Sequence, residues 1–444
     1  MDKTLKQRAT RSGVWVILGH LTSQGLRLGG NLILTRLLVP EMFGVMAIIT
    51  VIMGGLAMFS DVGLLQNIVQ SKRGEEPDYL NTAWTIQIIR GFFIFLIALM
   101  SAVGLYYAGQ VGYLSGDTVY GNKQLPFLLV IASISVVISA FNSIHILLLN
   151  RRLMLGKSVT IELFSQIIGL IFMLTWAWYL RDIWALVFGG LVATFTKMLL
   201  SHSLNLGERC RFCWDKEAVH EIFHFGKWIF ISSILGFLLS RGDRLLLGSL
   251  VSAEILGIYT VAFLLATALK GLITKLISSV FYPVLSETAR SSAGNLENIY
   301  YRIRNKIDAI TFFIAGVLYS SGEAIISVLY DARYQEAGWM LSILSLTLIG
   351  TGSFLSGQCF LANGKSKIVT KIASIQMISF YSLLPLLFFK YGIAGAIWAM
   401  VVSAFVRILI SSIYMKIYFF HDFRKEIIMI PFIFLGIVLG QVIV

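Results

Sequence analysis

Arg241, Asp243 and Arg244 stand in Ser240-Arg241-Gly242-Asp243-Arg244-Leu245-Leu246-Leu247, inside an apolar run from Gly226 to Val251. Such a run can cross a bilayer, whose core takes about 20 apolar residues at roughly 1.5 Å each. A charge held near mid-membrane costs at least ~2.5–3.5 kcal/mol on insertion scales, so it normally faces protein or a wet cavity. Arg241 and Arg244 are three apart and share a helix face, while Asp243 points substantially elsewhere. Two readings compete. One is an ion pair with neighbouring helices that locks a bundle. The other is recognition of an anion, because the planar guanidinium fork matches phosphate oxygens.

Eight basic residues fall inside apolar runs: Arg27, Arg90, Lys197, Arg241, Arg244, Lys270, Lys275 and Arg407. Four acids do so, namely Asp61, Glu162, Asp243 and Glu323, which makes the intramembrane balance cationic. Lys197 and Lys275 are placed to snorkel to an interface. Lys270 lies well inside its run. Arg90 follows the polar series Asn81, Thr82, Thr85 and Gln87. Arg90 and Arg407 read equally as headgroup contacts or as further cavity residues. Asp61 reads as support for a helix break at Gly63. Glu162 and Glu323 are the candidates for a coupling proton, although each is nearer a span end than the middle. Asp308, at the very start of a span, is left aside.

The elements that would carry these residues follow from composition. The chain has 444 residues, 57% hydrophobic and 13% charged, too little polar sequence to coat a soluble protein. The reading is an all-α polytopic membrane protein with about 12–14 helices. Apolar runs place them near 14–38, 43–69, 80–107, 125–149, 158–180, 183–206, 226–251, 255–285, 306–330, 337–362, 368–390, 393–418 and 427–443. Met1–Arg11 is basic, but the run after it is too long for the core of a cleavable signal, so the first helix is expected to anchor itself. With the N-terminus inside, every inside connection is richer in Lys and Arg than its outside neighbours, the positive-inside pattern. That pattern accounts for the net charge of +13 without nucleic acid.

Other motifs weigh little. The three cysteines are expected to be thiols. Cys210-x-x-Cys213 with His220 and His224 has zinc-type ligands, but the Cys-to-His gap is shorter than in a finger, and no metal is expected. Gly364-Lys365-Ser366 lacks the first glycine and the preceding strand of a P-loop, so no nucleotide cofactor is expected.

Sliding the chain by 213 residues pairs Gly13 with Gly226, Trp15 with Trp228, Gly29 with Gly242, Glu41 with Glu254 and Gly44 with Gly257. Four leucine pairs join them: Leu26 with Leu239, Leu32 with Leu245, Leu34 with Leu247 and Leu37 with Leu250. Six helices separate the two starts, so both copies enter from the same side, as parallel repeats related by an axis along the membrane normal. The expected division is a bundle at 1–212, a second at 213–425 and an extra hydrophobic helix at 426–444. Arg27 then lies one residue from the repeat partner of Arg241. Sites in such transporters lie near mid-membrane between the halves.

Gly13-x-Trp15, Thr35-Arg36-Leu37-Leu38-Val39-Pro40-Glu41-x-Phe43-Gly44, Asp61-Val62-Gly63-Leu64, Asp243-Arg244-Leu245-Leu246-Leu247-Gly248, Leu256-Gly257-Ile258-Tyr259 and Pro283-Val284-Leu285-Ser286 resemble bacterial polysaccharide transporters. These are the O-antigen and exopolysaccharide flippases of the multidrug/oligosaccharidyl-lipid/polysaccharide superfamily. The resemblance implies two six-helix bundles around a cavity. It implies a transporter, not an enzyme, moving an undecaprenyl-pyrophosphate-linked oligosaccharide across the cytoplasmic membrane by alternating access. Membrane lipids are the other partners, and a proton or sodium is the expected coupling ion. Relatives commonly end in an outward-and-return helix pair; here one run follows, so either it does not fully cross or the C-terminus lies outside.

The phosphate-facing set expected on this reading is Arg241, Arg244, Arg27 and Lys270, with Asp243 and Asp61 structural. Two alternatives stand beside it. A multidrug exporter of the same superfamily would want an acidic cavity for cationic drugs. A membrane polymerase or ligase acting on lipid-linked sugars would want a sizeable outside loop, and the longest here is Ala108–Gln124.

Overall fold

Lipid offers no hydrogen-bond partners to backbone groups, so a chain this apolar folds as helices that satisfy themselves. The computed structural model describes all residues except 1–2, 61–62, 153, 204–209, 292–294, 421 and 444, and not the side chains of 3–11, 225, 227–229, 231–232, 290–291, 423, 427 and 443. Among the described residues the regular structure is helical, without a strand. Among the described residues nine helices are long and apolar enough to cross a membrane, or ten if one bent pair is a single span.

The chain forms two compact units, Met1–Gly257 and Ile258–Val444. The first holds α1 (Lys3–Leu37), α2 (Pro40–Phe59), α3 (Leu64–Gln70), α4 (Pro77–Val111), α5 (Leu125–Ala140), α6 (His145–Arg151), α7 (Leu155–Leu180), α8 (Trp184–His202), α9 (Lys216–Leu250) and the first residues of α10 (Ala253–Leu276). Within it α7 packs on α1 and α8, α4 on α5, and α9 on α2. The second holds the rest of α10, a π-helical turn at Ile277–Phe281, α11 (Tyr282–Ser291), α12 (Leu296–Leu329), α13 (Ala337–Ser345), a 3₁₀ stretch at Leu346–Gly352, α14 (Ser353–Ala362), α15 (Ser366–Tyr418), α16 (Phe423–Ile427) and α17 (Pro431–Ile443). There α12 packs on α13 and α17, and α14 on α11 and α15.

Proline marks helix starts, where its missing N–H costs nothing: Pro40 and Pro77 stand in the first turns of α2 and α4, and Pro431 opens α17. Pro283 instead follows the π-helical turn, whose wider bonding accommodates a residue that cannot donate.

Several apolar runs differ from their simplest reading. Run 43–69 is two helices, α2 and α3, broken beside Gly63, which has φ 63°. Run 125–149 is the pair α5 and α6, bent by 62°. Run 337–362 is α13 and α14 joined through the 3₁₀ stretch. Runs 368–390 and 393–418, by contrast, remain two helices, written together as α15 and separated by a kink at Gly392, which has φ 60° and ψ −146°. α9 and α12 begin about ten residues before their apolar runs, at Lys216 and Leu296. Hydropathy sees where lipid begins, whereas the helix continues into water as long as its hydrogen bonds and packing persist.

The short helices α3 and α6 are held by charge. Arg151 Nη1 donates to Ile68 O at 2.6 Å, Ser71 O at 2.6 Å and Val69 O at 3.2 Å, satisfying carbonyls that α3 leaves open at its C-terminus. Arg73 pairs with Asp215, the N-cap of α9, at 2.7 Å and with Glu76 at 2.8 Å. Arg152 pairs with Glu75 at 2.9 Å. The hydrogen bond from Arg73 holds the Asp215 carboxyl below its ordinary range, and that from Arg152 does the same for Glu75.

Candidate functional site

In the first unit α1 supplies Arg27 and α9 supplies Arg241, Asp243 and Arg244. The structure brings the three arginines within electrostatic reach of one another. Arg27 is exposed and donates to Gln24 Oε1 at 3.2 Å, one turn earlier on its own helix. Gln24 is thus held by Arg27, and the adjacent Ser23 donates to Gln166 Oε1 of α7 at 2.7 Å, fixing α1 against α7. Asp243 is buried, 5% exposed, and its Oδ2 lies 4.0 Å from Arg244 Nε. Among the described residues the Arg241 guanidinium has no hydrogen bond or ion pair, although it is exposed within the structure. Three guanidinium groups with one nearby carboxylate leave an excess of positive charge that an anion can neutralise.

In the second unit Lys270 projects from α10 within electrostatic reach of Arg407 on α15. Among the described residues its ammonium has no hydrogen bond or ion pair. Arg407 Nη1 donates to Gln376 Oε1 at 3.1 Å, linking the two arms of α15 on either side of Gly392. The same guanidinium lies 5.8 Å from the centre of the Phe354 ring of α14. Arg407 is therefore oriented by Gln376 and Phe354, whereas Lys270 has no such hydrogen bond among the described residues.

The remaining candidates separate. Arg90 donates from Nε to Ser60 Oγ at 3.0 Å and from Nη2 to Ala57 O, so its head closes the C-terminal end of α2. Glu162 accepts from Lys197 Nζ at 2.8 Å. That pairing gives Lys197 a carboxylate partner. Glu323 is exposed on α12, and its Cα lies 2.7 Å from where a Cβ of Gly338 would stand. Asp61 lies outside the described residues.

Cys210, Cys213 and Cys359 are free thiols. Cys213 N donates to Thr85 Oγ1 at 3.1 Å, and the His220 and His224 rings stack 6.0 Å apart. Both histidines line a cavity between α3 and α9 with Asn67, Gln70, Ser71 and Lys216. Among the described residues no group of three or more His, Cys, Asp or Glu is placed to hold a metal.

One cluster escaped the reading by runs. Arg304, 5% exposed, sits between Asp308 on its own helix and Glu426 on α16, at 3.1 Å and 3.2 Å. Its i, i+4 spacing to Asp308 was a legible signal. The apolar run begins only at residue 306, so Arg304 lies outside it although α12 starts at Leu296.

Residues 33–339 match the family model described as polysaccharide biosynthesis protein. A putative O-antigen transporter of Shigella flexneri is 22% identical over 430 residues, covering 91% of this chain and 96% of that protein. A probable low-salt glycan biosynthesis flippase of Haloferax volcanii is 22% identical over 419 residues, with 91% of this chain and 83% of that protein covered. Among solved structures, the lipid II flippase MurJ in an inward closed conformation superposes with a TM-score of 0.67 at 15% identity, over 96% of this chain and 97% of that one. An inward-facing multidrug resistance transporter of the MATE family gives 0.62 at 13% identity, over 90% and 98%. At such identities the likeness establishes the fold.

Proposed function

The chain belongs to the polysaccharide biosynthesis protein family, and from that premise we propose that it is a flippase for an undecaprenyl-pyrophosphate-linked oligosaccharide. It is a multi-pass membrane protein, and the proposed membrane is the bacterial cytoplasmic one, with the N-terminus inside as the Lys and Arg distribution argues. The observation that carries the reading is the pair of intramembrane cations without a protein partner among the described residues, Arg241 and Lys270.

A flippase must shelter pyrophosphate and sugars while the lipid tail stays in the bilayer. Fixed guanidinium and ammonium groups replace the hydration that the phosphates lose. Arg241, Arg27 and Arg244 are the proposed phosphate-facing groups of the first unit and Lys270, with Arg407, of the second. Asp243, buried beside Arg244, restrains that arginine, which leaves Arg241 the freer group to meet a ligand.

The parallel repeat, 1–212 and 213–425 with an extra helix at 426–444, is the proposed basis of alternating access by rocking. It is supported by a reciprocal contact: a Cβ on Gly44 would overlap Ala253 O, and one on its repeat partner Gly257 would overlap Pro40 O. Ala253 and Pro40 are themselves repeat partners at the same offset.

Deleting the gene tests the function. The expected result is an undecaprenyl-pyrophosphate-linked oligosaccharide accumulating on the inner leaflet and loss of surface polymer. Normal polymer with no accumulated intermediate, together with new sensitivity to cationic drugs, would turn the reading to drug export.

A further inference from the structure

Two carboxylates compete for one buried guanidinium in the second unit. Arg304 Nε donates to Asp308 Oδ2 at 3.1 Å, and Arg304 Nη1 lies 3.2 Å from Glu426 Oε1. Arg304 Nη1 also donates to Tyr300 Oη at 2.6 Å, and that hydroxyl contacts Ser356 Oγ at 2.8 Å. Glu426 accepts a further bond from Ser412 Oγ at 2.9 Å. The side chains of Arg304, Asp308 and Glu426 are 5%, 3% and 10% exposed. With both acids ionised the cluster holds one uncompensated negative charge away from water, which is costly.

One atom is placed to relieve it. Asp308 Oδ1 is buried and makes no hydrogen bond among the described residues. Thr351 Oγ1, buried beside Gly352, likewise has none. Gly352 packs so closely on Asp308 that a Cβ there would overlap Oδ1. Hard metal cations need several oxygens at about 2.0–2.6 Å. A proton needs no such shell.

We infer that Asp308 is a proton-binding site, taking H⁺ from water onto Oδ1 while Arg304 passes to Glu426 alone. The charges that act on Asp308 are Arg304 of its own helix and Glu426 of α16. Of the elements packed on α12, α13, the 3₁₀ stretch and α17 carry no titratable side chain. Among the described residues α14 adds Cys359, α11 adds Tyr282 and Glu287, and α16 adds Arg424 and Lys425 beside Glu426. Because Glu426 lies on the short α16, a change in its hold on Arg304 reaches the C-terminal segment directly. Use of this proton for coupling rests on the transport reading, but its binding does not.

Infrared difference titration of the purified full-length protein tests binding without any substrate. Acidification is expected to raise a protonated-carboxyl band that Asp308→Asn lacks. Glu426→Gln removes a like charge, so the Asp308 band is expected at lower pH, by about one unit. An unchanged band in Asp308→Asn overturns the inference. Should that variant fail to fold, an unshifted band in Glu426→Gln overturns it equally. Suppression of the band by sodium, but not choline, at constant pH would assign the site to a metal cation instead and overturn the proton.

Discussion

Gly44 and Gly257 meet backbone to backbone where α2 and α10 begin. A Cβ on Gly44 would lie 3.0 Å from Gly257 N, and one on Gly257 would lie 3.1 Å from Gly44 N. The near-equal distances and the reciprocal carbonyl contacts make the close approach mutual. Gly44→Ala and Gly257→Ala are each expected to destabilise the protein by about 1–3 kcal/mol, since a methyl must push against backbone that cannot rotate away. The double variant should cost less than the sum, because the helices part only once. Thermal unfolding in detergent measures both.

Neutralising the proposed phosphate-facing cations tests ligand binding apart from folding. Arg241→Ala and Lys270→Ala are each expected to lower polymer export about tenfold or more, as the loss of a hydrogen bond to a charged group does. Arg27→Ala should act in the same direction. Membrane levels of all three should match the wild type, read by immunoblot alongside surface polymer in a complemented deletion strain. Normal export from both Arg241→Ala and Arg27→Ala would remove the first-unit site.

Arg90→Ala should behave in the opposite way. Its guanidinium closes the end of α2 through Ser60 and Ala57, so truncation leaves that helix end open. Reduced yield and a lower unfolding temperature are expected, with export per molecule retained.

The Arg73–Asp215 pair sets a pH dependence outside the membrane. The Asp215 carboxyl is held below its ordinary range by Arg73, so its contribution is present above the unfolded value. It is lost as pH falls through the lower folded value. Hydrogen exchange over residues 71–76, taken relative to the intrinsic amide rate at each pH, should therefore quicken in acid below about pH 4. Asp215→Asn should quicken it already at neutral pH and flatten the acid response.

Composition and charge pattern were enough to read a multi-pass helical protein. Lipid leaves no other use for so apolar a chain, and Lys and Arg in its connections argue orientation. The 213-residue offset sets Arg27 one position from the counterpart of Arg241, and the structure brings their two charges within electrostatic reach. The breaks at Gly63 and between α5 and α6 were not legible as lengths of apolar sequence, since hydropathy is unchanged when a helix bends. Nor could sequence tell which cations are spent. Arg90 and Arg241 are the same residue in similar runs; only the tertiary structure gives one of them Ser60 and Ala57 and leaves the other without a hydrogen bond among the described residues. Arg304 shows the same limit from the other side: its two carboxylates, Asp308 and Glu426, are four and 122 positions away. Local spacing can announce the first, but the second exists only because packing returns the chain to that place.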